Sequence, residues 1–252
     1  MTAYLPIGAP LRLKELLPHE VAGVLGRDSR LIVPCGTCQQ HGPHLPLGCD
    51  TIIAERLAAD LSARFGVLLA PTMEYGVNEQ TERAQPGNSA MRRKTLHRAL
   101  NDLLDQWEAG GITEFILLTV HSHDPHQEAL ATVVTTRARV RVVDALGVRM
   151  DDLLDDQHVA MHGGEVDTSL MLYLAPNLVR MDLARDRILE PGRLRRYRRG
   201  RHEVPDGGAG SLGKPTIASV RKGELIYRRI LDQVSDRIFG GAVAGTTTVR
   251  RS

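Results

Sequence analysis

Long apolar runs and a disulfide framework are both absent from this chain of 252 residues. No stretch reaches the ~20 apolar residues that a membrane-spanning helix needs, so no membrane contact is expected. The three cysteines are too few, and odd in number, to hold together a disulfide-stapled secreted domain. No basic segment followed by an apolar core opens the chain, so no signal peptide is predicted. Together these absences predict a cytoplasmic protein.

A strong charge of one sign is also missing, because the formal net charge is only +2. Without a global electric field, nothing in the composition favours a nucleic-acid partner. The single charge cluster, Arg193–His202, leaves two interpretations open: a patch that binds RNA or phosphate, and a solvated loop. The rest of the chain has no basic stripe, which favours the solvated loop.

Short aliphatic or β-branched runs alternate with helical patterns along the chain. The candidate strands are Leu31–Cys35, Val67–Ala70, Phe115–Val120 and Val140–Val143. The candidate helices are Asp50–Phe65, Ser89–Ala109, Val166–Leu174 and Lys222–Phe239. This alternation predicts an α/β fold, a three-layer α/β/α sandwich around a mostly parallel sheet. No linker is evident, so residues 1–252 are predicted to form one domain, with its core at about 20–240 and a fraying tail at 242–252.

Two helix details follow from local signals. Asp50 stands where a helix N-cap is expected, and Gly66 stands where a C′ glycine is expected. In the second helix, helical spacing predicts that the core face consists of Leu96, Leu100, Leu103 and Trp107.

Three clusters of polar, metal-competent residues follow structural breaks and contain most of the ten histidines. They are Gln39, His41, His44 and Asp50; His121, His123, Asp124 and His126; and His162, Glu165 and Asp167. Loops at the carboxyl ends of parallel strands can converge on one crevice. Such convergence would combine nitrogen and oxygen ligands suited to Zn²⁺, Mn²⁺ or Fe²⁺ from His41, Asp50, His123 and Glu165. The alternative is that these histidines are hydrogen-bonded loop residues.

Two further points refine the metal-site hypothesis. His121 and His123 alternate as on a strand end, so only one of them is expected to face a given site. Cys35-x-x-Cys38 has the spacing of a redox or zinc motif, but no second cysteine pair follows. Cys35, Cys38 and Cys49 are therefore interpreted as small packing residues beneath the site.

The same clusters resemble the creatininase (creatinine amidohydrolase) family. Its opening signature reads approximately Gly-Ser-Thr-Glu-Gln-His-Gly-Pro-His-Leu-Pro-Leu-x-Thr-Asp, and this chain has Gly36-Thr-Cys-Gln-Gln-His41-Gly-Pro-His44-Leu-Pro-Leu-Gly-Cys-Asp50. Later family motifs are matched in order by Tyr75-Gly76, Gln85-Pro86-Gly87-Asn88, His121–His126, His162–Ser169 and Gly213–Gly223. The resemblance extends over about residues 20–240.

This resemblance implies a three-layer α/β/α domain with a centre of one or two divalent ions, Zn, Mn or Fe. His41, Asp50 and His123 match metal-ligand positions, with Asp50 as the bridge, and Glu165 matches an active-site acid that also reaches metal. The family's acidic ligand is replaced by Gln39, and an amide carbonyl is a poorer ligand than a carboxylate. One metal position is therefore lost or rebuilt, with Asp124, His121, His126 and Cys38 as the candidate replacements.

The resemblance implies a metal-dependent hydrolase of a small amide, a cyclic amide or a short peptide. In this hypothesis Glu165 is the general base, and His162 or His126 protonates the leaving nitrogen. Two alternatives stay open: a metal-poor member that binds a ligand, and a biosynthetic enzyme that forms or rearranges a C–N bond. Trp107 is the only tryptophan and is predicted in a helix, which argues against creatinine itself. The expected partners are a small-molecule substrate and further copies of the chain, in a hexamer or a smaller ring.

Overall fold

The computed structural model describes residues 8–78, 85–155, 160–188 and 210–240. The cluster Arg193–His202 and the tail at 242–252 lie outside these residues. The strands are β1 Leu11–Arg12, β2 Arg30–Cys35, β3 Leu68–Leu69, β4 Glu114–Thr119 and β5 Arg139–Asp144. The helices are α1 Pro18–Leu25, α2 Cys49–Phe65, α3 Arg93–Ala109, α4 Asp124–Ala131, α5 Glu165–Leu174 and α6 Val220–Phe239, together with short 3-10 turns.

The strands form one five-stranded sheet in the order β1-β3-β2-β4-β5. Every neighbouring pair is parallel. The predicted α/β fold with a parallel sheet is therefore confirmed. From β2 the chain passes through α2 to β3 on one side, whereas β4 lies on the other side of β2. The carboxyl ends of β2 and β4 thus lie at the topological switch point, where open α/β sheets place their binding crevices.

Alternating strand residues supply two separate cores, one on each face of the sheet. Ile32 and Ile116 pack with α2, α5 and α6, whereas Leu31 and Phe115 pack with α1, α3 and α4. A strand buried on both faces needs such continuous apolar runs, because successive side chains point to opposite sides. Helices on both faces make the three layers that the sequence predicts. Among the described residues, none of the helices combines the length and the apolar character that crossing a membrane requires.

Three local predictions are wrong in detail. Gly48, not Asp50, is the N-cap residue of α2, and the carboxylate of Asp50 bonds to other loops instead of capping its own helix. Helix α3 begins at Arg93 and not at Ser89. Its core face contains Leu104, while Leu103 is exposed, because the helix is rotated slightly from the predicted face. The C′ prediction is correct, since Gly66 ends α2 at φ +65°.

Candidate metal centre

The first two sequence clusters meet because β2 and β4 end side by side. Cys35 and Thr119 are register partners at the carboxyl ends of these strands. The loop that follows β2 carries His41 and leads into α2, whose first turn contains Asp50. His121 is the second residue after the end of β4. These side chains therefore converge at the switch point of the sheet.

Asp50 is the centre of this cluster. Its carboxylate is buried and accepts a hydrogen bond from Thr37 Oγ1 to Oδ2 at 2.7 Å. His41 Nε2 lies 3.1 Å from Oδ1, and His121 Nδ1 lies 3.1 Å from Oδ2. One carboxylate therefore stands between two imidazoles, with a different oxygen facing each ring.

The second nitrogen of each imidazole ring is hydrogen-bonded to a backbone carbonyl. His41 Nδ1 donates to the carbonyl of Gln39 at 2.9 Å, and His121 Nε2 donates to the carbonyl of Val77 at 3.1 Å. A neutral ring held in this way presents a lone pair to Asp50, and a carboxylate cannot donate to it. Either a proton or a metal ion must therefore lie between each ring and the carboxylate. Metal-bound histidines are commonly oriented in this way, with the second ring nitrogen donating to a backbone carbonyl.

The electrostatics of the cluster agree with this arrangement. Burial opposes the ionised form of Asp50, but the His41 charge and the hydrogen bonds from His121 and His41 hold its pKa well below the usual range. Burial also opposes the charged form of His41, but Asp50 and Asp167 raise the pKa of His41 to about 9. Without metal, the proton held by His41 compensates the carboxylate. A divalent cation could replace it.

Asp167 is the second carboxylate of the cluster. It lies buried in the first turn of α5, and its Oδ2 accepts from the backbone N–H of Gly163 at 2.8 Å. Burial raises its pKa to about 6, while the nearby charge of His41 acts in the opposite direction. The sequence analysis placed Asp167 in the third cluster of polar residues. The spacing of that cluster gave no reason to choose Asp167 over Glu165 as the carboxylate that lies near His41.

Cys49 completes a compact set of donors. Candidate ligand atoms of His41, Cys49 and Asp50 all lie within 4.8 Å of one another, and all three residues are buried. An imidazole, a thiol and a carboxylate are the ligand types that Zn²⁺ accepts, so the donor set fits a divalent ion. Sequence reasoning interpreted Cys49 as a packing residue, and its position next to Asp50 was the signal that it belonged to the site.

Glu165 makes a different set of contacts. Its buried Oε1 accepts from Lys222 Nζ at 2.5 Å and from the backbone N–H of Asp155 at 3.2 Å. Its Oε2 is buried and has no hydrogen-bond partner among the described residues. Lys222 Nζ also lies 2.7 Å from Asp155 Oδ2, so it bridges the two acids. The predicted role of Glu165 as a base or ligand stays a prediction.

The two histidines predicted to protonate a leaving group are both hydrogen-bonded. His126 is fully buried, accepts from the Val77 backbone N–H at Nδ1 and bonds Thr119 Oγ1 through Nε2. Burial lowers its pKa to about 3, which favours the neutral ring that this bonding needs. His162 Nε2 donates to the carbonyl of Gln40 at 2.6 Å, and its ring lies 4.3 Å from that of His41. Their catalytic roles stay predictions.

The remaining predicted metal residues lie around the cluster. His123 precedes α4 as its N-cap, and its ring centroid lies 5.6 Å from that of His121. The contact with Asp50 comes from His121, although the sequence favoured His123 as the ligand. Asp124 is exposed in the first turn of α4, and Gln39 is buried beside His41.

Tight packing explains the Tyr75-Gly76 motif. A Cβ atom on Gly76 would lie 2.7 Å from the Gly36 carbonyl oxygen and 2.8 Å from His126 Nδ1. Only glycine allows this segment to approach the loop after β2 so closely. The next residue, Val77, then supplies the backbone groups that bond His121 and His126.

Comparison with known proteins identifies the family. The family model described as "Creatininase: Creatinine amidohydrolase" matches residues 14–238. This chain belongs to the creatininase family. Its relatives include a mycofactocin precursor peptide peptidase from Mycolicibacterium smegmatis, which is 28% identical over 219 residues that cover 82% of this chain and 83% of that protein. The creatinine amidohydrolase of Pseudomonas putida is 24% identical over 245 residues, covering 86% of this chain and 91% of that protein.

Solved structures of creatininase share the fold. An Mn form matches with a TM-score of 0.76 at 23% identity, covering 91% of this chain and 97% of that chain. A Zn–Zn form of a creatininase variant matches with a TM-score of 0.75 at 23% identity, with the same two coverages. At these identities the likeness establishes the fold, so the chemistry of this creatininase-family chain must be argued from its own residues.

Proposed function

We propose that this protein is a metal-dependent hydrolase of an amide C–N bond in a small molecule or a short peptide. One observation carries the proposal. Asp50 stands between His41 and His121, and each ring has its other nitrogen committed to a backbone carbonyl. A buried arrangement of this kind is adapted to hold a cation in place of protons.

The residues of the cluster bind and orient. Thr37 and the two imidazoles restrict the carboxylate of Asp50, while the carbonyls of Gln39 and Val77 restrict the imidazoles. Asp167 adds a second negative charge, which balances a divalent ion better than Asp50 alone. When bound, a divalent ion supplies Lewis acidity towards an amide carbonyl and lowers the pKa of water.

The substrate class rests on the relatives and on one feature of this chain. The relatives are named for action on a precursor peptide and on creatinine. Trp107, the only tryptophan, packs against the core on the α1, α3 and α4 face of the sheet. Cys49 and the rest of the helix α2 face belong to the opposite core. No tryptophan therefore stacks on a flat ring at the cluster, which favours a linear amide or a peptide as substrate.

Gln39 supports a second candidate function. A neutral amide replaces a carboxylate of the family signature, which weakens the attraction for a second cation. A member with weak metal binding could bind a ligand without hydrolysing it, or form or rearrange a C–N bond. The retained His41 and Asp50 favour the hydrolase.

Metal loading tests the hydrolase directly. Chelator-treated protein, reloaded separately with Zn²⁺, Mn²⁺ and Fe²⁺, should hydrolyse members of a panel of small amides, formamides and short peptides. Asp50→Asn and His121→Ala should bind less metal and lose hydrolysis, while circular dichroism shows the fold retained. His123→Ala is the matched control that separates the two neighbouring imidazoles.

The outcomes divide the hypotheses clearly. Stoichiometric metal without hydrolysis of any amide would favour the non-hydrolytic alternative. Wild-type protein that takes up no divalent ion under any loading condition would contradict the proposal. A larger loss of bound metal in His123→Ala than in His121→Ala would indicate that His123, and not His121, is the metal ligand.

A further inference from the structure

Two positions of the first loop depart from the family signature in complementary ways. Gln39 replaces a hard, anionic oxygen ligand, and Cys49 replaces the threonine that precedes the aspartate. The first change removes a group that holds Mn²⁺ well, and the second adds a group that holds Zn²⁺ well. Cys49 can act as a ligand only if its sulfur lies close to the other donor atoms of the centre.

The geometry places the sulfur of Cys49 among the donors. Cys49 is fully buried at the first position of α2, next to Asp50. Its Sγ lies within 4.8 Å of the ligand atoms of both His41 and Asp50. The neighbouring imidazoles supply independent evidence for a cation, because His41 and His121 both present their second nitrogen to Asp50.

The other two cysteines do not join this set. Cys35 Sγ donates to the Val33 carbonyl, and Cys35 belongs to the core on the α1, α3 and α4 face. Cys38 Sγ donates to the Gly87 carbonyl at 3.5 Å. Within the part of the chain that the structure describes, Cys49 is the one cysteine grouped with an imidazole and a carboxylate.

We propose that Cys49 is a thiolate ligand of the metal centre and makes it selective for thiophilic ions, Zn²⁺ above Mn²⁺. This inference rests on the proposed metal-dependent function. The ring of His41, the carboxylate of Asp50 and the sulfur of Cys49 supply a nitrogen, oxygen and sulfur environment of the kind that zinc prefers.

Ligation requires the thiol to lose its proton. The S–H bond breaks, the proton passes to the solvent, and the sulfur lone pair forms the bond to the cation. Zinc uptake should therefore release protons to the buffer.

Cobalt substitution tests the sulfur ligand without an activity assay. Co²⁺ bound to a thiolate has an intense near-ultraviolet charge-transfer absorption, which nitrogen and oxygen ligands do not produce. The Co²⁺-loaded wild type and Cys38→Ser, the matched control, should both show this band. Cys49→Thr, which restores the residue of the family signature, should lose the band while it keeps weak visible d–d absorption.

Competition for metals measures selectivity. Cys49→Thr should lower zinc affinity by at least ~10-fold, since even outer contacts of a metal ligand are worth that much, and should leave manganese affinity nearly unchanged. X-ray absorption of the zinc-loaded wild type should show a sulfur neighbour at about 2.3 Å. X-ray absorption needs no variant, so it shows whether a sulfur atom binds the zinc even if Cys49→Thr fails to fold.

Two results would overturn the inference while leaving the proposed function intact. They are a wild type that binds cobalt without the charge-transfer band, and a Cys49→Thr variant that keeps the band. A wild type that binds Mn²⁺ but neither Co²⁺ nor Zn²⁺ would also overturn the inference, whereas a wild type that binds no divalent ion at all would overturn the proposed function itself.

Discussion

At the residue scale, Gln39 tests how many ions the centre holds. We expect purified protein to carry fewer than two equivalents of divalent metal per chain, because position 39 lacks a carboxylate. Gln39→Glu should raise the metal content, since an anionic oxygen binds a divalent ion far better than an amide carbonyl does. Elemental analysis after loading with Zn²⁺ or Mn²⁺ measures the change.

A control separates local ligation from added charge. Gln106→Glu introduces the same charge on the exposed side of α3 and should leave the metal content unchanged. Equal metal content in Gln39→Glu and the wild type would mean that residue 39 does not face the centre. The expectation that residue 39 occupies a metal-ligand position would then be wrong.

We expect the positive charge of Lys222 to compensate the buried carboxylate of Glu165. Its ammonium lies 2.5 Å from Glu165 Oε1, and Glu165 is fully buried. Lys222→Met keeps most of the apolar stem but leaves a buried carboxylate uncompensated, so the free energy of unfolding should fall by about 3–5 kcal/mol. Urea denaturation measures this loss.

Two companion variants make this prediction specific. Lys222→Met combined with Glu165→Gln should recover part of the lost stability, because the uncompensated charge is then absent. Arg93→Met removes the cation from an exposed pair with Glu128 and should cost less than about 1 kcal/mol. Equal losses in Lys222→Met and Arg93→Met would contradict a buried ion pair.

At the scale of elements, the end of α2 depends on a left-handed glycine. Gly66 has φ +65°, and a Cβ atom there would meet nothing within 4 Å. Gly66→Ala should therefore lower the free energy of unfolding by about 1 kcal/mol through backbone strain alone. Gly26 ends α1 at φ −66°, where alanine is unstrained, so Gly26→Ala should be neutral or slightly stabilising. Thermal denaturation of both variants checks the contrast, and equal effects would contradict it.

At the scale of the whole molecule, buried neutral histidines should make the protein sensitive to acid. Burial lowers the pKa of His44 to about 4 and that of His126 to about 3, from an ordinary value of 6.5. Below pH 6.5 the unfolded chain takes up protons that the folded protein excludes. Stability is therefore fully present above pH 6.5 and is lost as the pH falls towards these lowered values.

Urea denaturation between pH 7 and pH 5, with chelator present, measures this loss. Each such histidine adds a slope of at most about 1.4 kcal/mol per pH unit. His126→Gln removes one of these rings and should make the dependence on pH shallower, whatever its effect at pH 7. An unchanged slope would show that His126 is charged in the folded protein.

We also expect the chain to assemble with copies of itself, as the family resemblance implies. Exposed apolar side chains support this, notably Leu183 and Ile188, which precede the undescribed residues 189–209. Light scattering after size-exclusion chromatography at micromolar concentration should give the mass of a hexamer or a smaller ring. A monomeric mass would contradict the prediction.

The sequence alone determined the architecture and the place of the candidate site. Aliphatic runs such as Phe115–Val120 are typical of strands buried on both faces of a parallel, helix-covered sheet, and such a sheet puts its polar loops at one edge. His41 and Asp50 could be assigned to that edge because both lie in one short loop and the turn that follows it. Gly66 could be assigned as a helix end because its conformational freedom is a local property.

Tertiary structure decided which side chains meet. Asp167 and Glu165 are two residues apart, about 200° around a helix, so only the rotation of α5 against its neighbours determines which of them approaches His41. His121, not His123, contacts Asp50 because the chain turns into α4 at His123. Cys49 belongs to the donor set because packing of α2 brings its sulfur beside His41. Strand register and the rotation of each helix about its axis are set by the packing of the two cores, which involves residues far apart in the sequence. Local sequence patterns therefore do not predict them.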